Sequence, residues 1–196
     1  MQFYGHLTQS FGGYGVVSGQ RIGVYGMGGR APTAASAAGL IAGAGEGNQS
    51  FSRVGADVSL TAGGQVNVFG TWMFAKDSRN LFPAVAVTPQ EARWNGGFME
   101  LDYNPIQFQK WLLIYRYDWI TNTQQPDALV AGVSGFVGNF DNLQGHTAAI
   151  RYNFHISSRT DIAWHLEWNH LTAKQTAASG GNQIQDTVLT GFDFAF

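Results

Sequence analysis

Residues 52–75 read "SRVGADVSLTAGGQVNVFGTWMFA", and they decide the fold. Val54, Ala56, Val58 and Leu60 alternate with Arg53, Gly55, Asp57 and Ser59. After "AGG" the period of two resumes, with Val66, Val68, Gly70, Trp72 and Phe74 against Gln65, Asn67, Phe69, Thr71 and Met73. Successive strand side chains point to opposite faces, whereas a helix repeats every three or four residues. A Gly-Gly pair between two such runs signals a tight hairpin. The stretch is therefore a β-hairpin with one apolar and one polar face.

The pattern continues on both sides. Downstream, "GGFMELDY" sets Met99, Leu101 and Tyr103 against Glu100 and Asp102, and "KWLLIYRYDWI" sets Trp111, Leu113, Tyr115, Tyr117 and Trp119 against Lys110, Arg116 and Asp118. "TAAIRYNFHI" and "DIAWHLEWN" repeat it, with Ile150, Tyr152 and Phe154 against Arg151 and Asn153, and Trp164, Leu166 and Trp168 against His165 and Glu167. Upstream, "QFYGHLTQSF" and "QRIGVYGMG" carry it through Phe3, Leu7, Ile22 and Val24. The chain closes on "QDTVLTGFDFAF", where Phe192, Phe194 and Phe196 share one face. About nine strands of roughly 9 to 12 residues result, longer than globular strands and close to the length that crosses a bilayer at a tilt.

Composition narrows the class. The 196 residues suffice for one domain, taken here as 1–196, and only 12% are charged, about half the usual share. A net charge of −2 with scattered Lys and Arg argues against a nucleic-acid partner. The absence of Cys rules out disulfides and thiolate metal sites. "APTAASAAGLIAGAG" is too short, too small in its side chains and interrupted by Pro32, so it cannot be a helical span. The N-terminus shows no basic start followed by an apolar core, so no secretory signal is visible.

Connections alternate in length. Short turns fall near 12–17, 62–64, 104–109 and 157–160, and long loops near 29–49, 77–91, 121–142 and 173–184. Short periplasmic turns alternating with long external loops are the pattern of an outer-membrane barrel. The expected fold is all-β, an antiparallel transmembrane β-barrel. Placing the last strand inward puts the first end outside with an odd strand count. Even counts are the rule, so the expectation is a larger even-stranded barrel with strands and a signal peptide before Met1, or closure between several chains.

On these residues the chain resembles Gram-negative outer-membrane β-barrels of the porin-like kind. The terminal "GFDFAF" looks like the aromatic signal read by the barrel assembly machinery. The resemblance implies that Phe196 is the recognised terminal residue, with Phe194 and Phe192 toward lipid. A second resemblance, carried by "RVGADVSL", "VNVFGTW", "GGFMELDY" and "LLIYRYDW", is to the barrel partners of multihaem cytochromes in electron conduits, although no CxxCH is present. Expected partners are thus outer-membrane lipid, the assembly machinery, and a second copy or a periplasmic cytochrome.

Site expectations follow from the two faces. A charge on a lipid face costs about 2–4 kcal/mol near the midplane, so charges collect inside whatever the function. Arg53, Asp57, Glu100, Asp102, Arg116, Asp118, Arg151, His165 and Glu167 are the lumen candidates, with Arg21, Lys110, Asp161 and Asp193 on the same inferred side. Cross-strand pairs are expected between Arg151 and Glu167 and between Asp102 and Lys110. The same charges would tune which solutes pass through a wet lumen. Trp72, Trp111, Trp119 and Trp168 are assigned to interfacial aromatic girdles.

Enzyme chemistry finds no footing. In "HLEWNH", alternation puts His170 on the face opposite His165 and Glu167, so the three cannot converge on one metal. "GAGEG" and "GGYGVVSG" lack the P-loop Lys and its strand-to-helix setting. No cofactor is expected. Function is read as a porin-like channel for passive passage of small solutes or ions. The alternatives are a sheath or anchor for a partner such as a multihaem cytochrome and, further off, an outer-membrane enzyme.

Overall fold

In a computed structural model of the chain, residues 2–12, 20–32, 48–78, 92–124, 140–157, 160–175 and 182–195 are described. They form nine strands: β1 (Gln2–Phe11), β2 (Gln20–Pro32), β3 (Asn48–Ala62), β4 (Val66–Asp77), β5 (Ala92–Tyr103), β6 (Trp111–Gln124), β7 (Phe140–Ser157), β8 (Thr160–Gln175) and β9 (Gln183–Ala195). One short 3-10 turn at Ile106–Phe108 is the other regular element. The strands lie in chain order in one sheet, each antiparallel to its neighbours. This all-β antiparallel meander is compatible with a β-barrel. The sheet is open: β1 is bonded to β2 alone and β9 to β8 alone.

The decisive hairpin forms as its sequence dictates. Gly63 and Gly64 have φ of 60° and 69°, a region costly for residues with a Cβ, and the Gln65 N–H donates to the Ala62 carbonyl at 3.2 Å. The long connections expected after β2, β4 and β6 are longer than their neighbours, but the one between β8 and β9 shrinks to 176–182, no longer than the turn at 104–110, because several strands outrun their apolar stretches. β7 has 18 residues and β8 has 16, because backbone pairing continues through Asn142↔Lys174 and Gln144↔Thr172 after the apolar alternation ends. Consequently β2 reaches Pro32, β3 starts at Asn48 and β6 reaches Gln124, within segments expected as loops. The glycine-rich "GAGEG" and all but Gly12 of "GGYGVVSG" lie outside the described residues, as does Phe196.

A conventional core is missing among the described residues. Their only buried hydrophobic side chains are Ala75, Ala163 and Ala173, and no large side chain is fully buried. The sheet is a single layer whose apolar face is uncovered: Leu7 is 74% exposed, Val188 67% and Trp72 47%. Burying one such side chain contributes about 1.5–3 kcal/mol relative to leaving it in water. An uncovered face of this extent calls for an apolar surrounding.

Register fixes the extent of the apolar band. On β4 it runs from Val66 to Phe74 and on β6 from Trp111 to Trp119, nine residues in each case. Beyond it the same face turns polar, at Lys76, Asn95, Thr121 and Gln144. Trp111 stands at the short-turn end of β6. Trp72, Trp119 and Trp168 stand midway along their strands, near the polar margin of the band rather than at the strand ends.

Candidate functional site

The opposite face gathers the charges. Antiparallel partners share a face, and the rows Ser59–Phe69–Glu100–Arg116–Thr147–Asn169 and Asn67–Asp102–Ile114–Ala149–Glu167 run across it in register. All nine lumen candidates lie here: Arg53, Asp57, Glu100, Asp102, Arg116, Asp118, Arg151, His165 and Glu167. Phe69, Phe98, Ile114 and Leu189 interrupt the polar surface.

Five clusters organise this face. Arg116 grips Asp118 two-handed, with Nε donating to Oδ2 at 2.9 Å and Nη2 to Oδ1 at 2.7 Å. It also lies 3.8 Å from Glu100 and stacks 4.1 Å over the Phe98 ring. Near the other end of the strands, Arg53 donates to Asp77 at 2.6 Å, and the Trp94 indole N–H donates to the second carboxylate oxygen at 3.1 Å. Asp77 is buried and Arg53 sits 5.1 Å from the Trp94 ring centroid. Thr147 donates to Asn169 Oδ1 at 2.6 Å, and Asn169 donates to Glu167 at 2.6 Å.

The fourth and fifth clusters span strands two apart. His6 on β1 meets Asp57 on β3 at 2.7 Å, with Arg21 of β2 at 3.8 Å from the other carboxylate oxygen. Gly23 on β2 makes this possible, since a Cβ there would lie 2.6 Å from both the His6 Nε2 and the Asp57 Oδ2. Tyr25 likewise leans across Gly55 to reach the Thr71 hydroxyl on β4 at 3.0 Å. Arg151 on β7 crosses β8 to reach Asp193 on β9 at 3.6 Å, where His165 also lies 3.3 Å away. Neighbouring strand axes are about 4.8 Å apart, so these contacts bridge about twice that distance.

Two expected pairs are corrected by the register. Arg151 stands opposite His165, and Glu167, two residues along the same face, stands opposite Ala149, because the ladder keeps one register from Leu143↔Ala173 to His155↔Asp161. Arg151 therefore binds Asp193 rather than Glu167. Asp102 stands opposite Ile114, while Lys110 stays exposed in the turn, because the 3-10 turn takes up the residues that a shorter hairpin would pair. No protein donor reaches the enclosed Asp102 Oδ1. The side chain of Asp161 lies outside the described residues.

His170 does face away from His165 and Glu167. It pairs with His146 on the apolar-face parity, where its Nδ1 lies 2.8 Å from Asp186 and Tyr115 OH lies 2.8 Å from His146 Nδ1. Among the described residues no group of three or more His, Cys, Asp or Glu could hold a metal ion. A hollow of about 640 Å³ lies on the apolar face, where Ala56 and Gly70 leave room between Leu7, Trp72, Met99 and Trp119. Its apolar wall suits hydrocarbon rather than a polar solute, so it is separate from the charged site.

These features define a class: a single-layer antiparallel meander with one uncovered apolar face and one charged face. Comparison of the chain with protein-family models, with curated proteins and with solved structures returns no match.

Proposed function

We propose that this chain forms the wall of an outer-membrane, porin-like β-barrel whose charged face lines a passage for small solutes. The observation that carries this reading is the uncovered nine-residue apolar band, because about 9–11 tilted residues match the thickness of a bilayer. Contacts over Gly23, Gly55 and β8 draw side chains together on the charged face, which supports a curl in that direction. β1 and β9 run the same way, so direct pairing of the two edges would be parallel. Closure by antiparallel pairs alone takes an odd number of further strands, and an open edge in hydrocarbon is not tolerated.

The wall favours cations. Among the described residues of this face, Arg21, Arg53, Arg116 and Arg151 oppose Asp57, Asp77, Glu100, Asp102, Asp118, Glu167 and Asp193, a surplus of carboxylates. Charged walls of one sign raise the local concentration of the opposite ion. Reconstitution into planar bilayers is the test. Stepwise conductance with a cation-selective reversal potential is expected. Silent bilayers with a correctly inserted protein would instead favour a sheath around a partner.

A further inference from the structure

Among the described strand residues, the basic ones on the apolar-face parity stand at one edge only. Arg30 on β2, Lys76 on β4, Arg93 on β5 and Lys174 on β8 share that parity and lie beyond the apolar band, on the side of the long connections. At the short-turn edge the same face ends in Phe11, Val66, Tyr103, Trp111, Ile162 and Phe194, none of them charged. The acidic exception near the collar, Asp186, is held by His170.

The four bases follow one slanted line. Arg30 faces Ser50, and Lys76 faces Ser52, a step of two residues toward the short-turn edge. Lys76 pairs directly with Arg93. Lys174 falls in the row of Asn142, Thr121, Asn95 and Phe74, two residues further on. The short-turn ends step the same way, from Phe11 and Gln20 through Ala62 and Val66 to Ile162 and Phe194. Staggered strands of a barrel have their common level along such a slant, so the bases form a collar at one height.

We infer that this collar binds the phosphate groups of an anionic lipid leaflet on the long-connection side. The inference rests on the membrane-spanning reading. Long basic side chains lay their stems on apolar surface and hold the charged head at the polar boundary, and Arg matches phosphate with two N–H donors. Overall charge does not explain the collar, since the other face carries a surplus of the opposite sign. Lys76 and Arg93 also make contacts within the protein, while Arg30 and Lys174 are exposed.

Tryptophan quenching by brominated lipids tests this. The full chain and the R30Q/K76Q/K174Q variant are inserted into phosphatidylcholine vesicles, with either brominated phosphatidylglycerol or brominated phosphatidylcholine added. The wild type should prefer phosphatidylglycerol, with the preference falling on the order of fivefold per charge removed. A preference that is absent in the wild type, or unchanged in the variant, overturns the collar while leaving the membrane reading intact. Quenching by neither lipid shows that the protein is not in the bilayer, and both readings then fall.

Discussion

His6 and Asp57 lie on strands two apart, yet their side chains meet at 2.7 Å above Gly23. The contact exists because the intervening strand presents no side chain at that point. Replacing Gly23 with Val puts branched carbon into the space that both polar groups occupy. The expected cost is about 1–3 kcal/mol, seen as a lower urea midpoint for unfolding of the vesicle-inserted protein. An unchanged midpoint would mean that the two side chains separate freely and contribute nothing.

Asp77 is buried against Arg53 and the Trp94 indole N–H. Asp77→Ala strands a largely enclosed guanidinium, so a loss on the order of 3 kcal/mol is expected. Asp77→Asn keeps an oxygen acceptor and should lose less. Urea titrations of both variants check the order.

Arg116 neutralises Asp118 and lies beside Glu100. Arg116→Ala, alone or with Arg151→Ala, leaves carboxylates uncompensated on the charged face. Cation preference should rise, read as a larger reversal potential across a salt gradient. A wall that does not border the ion path would leave the reversal potential where it was.

Met99 and Ala149 stand on opposite faces of the sheet. Met99→Arg places a charge within the apolar band, costing about 2–4 kcal/mol at a bilayer midplane, and should block folding into vesicles. Ala149→Arg places the same charge opposite Glu167 and should be tolerated. Heat-modifiable migration in detergent gels distinguishes the two. Equal behaviour would refute the assignment of faces to lipid and lumen.

Much of this architecture was legible in the chain. Alternation at Val66 to Phe74 and at Trp111 to Trp119 needs only the pleat, so strand identity, face and order followed from local pattern. The face of each lumen candidate and the placement of His170 away from His165 followed likewise. Partners were less legible. Asp77 fell in an expected loop, and His6, Tyr25 and Asp193 reach across a whole strand, which no spacing along one strand reveals.

Period two is a property of each strand alone, so the sequence by itself determined which residues share a face. Register, by contrast, depends on where each turn absorbs a residue. The β7–β8 register and the 3-10 turn at Ile106–Phe108 therefore set Arg151 and Asp102 apart from the partners their spacing suggested. Only the tertiary structure decided that glycines at 23 and 55 open the way between strands two apart, and that four scattered bases fall along one slanted line across the sheet. Both depend on how neighbouring strands are staggered, and stagger is set by pairing between strands rather than within them.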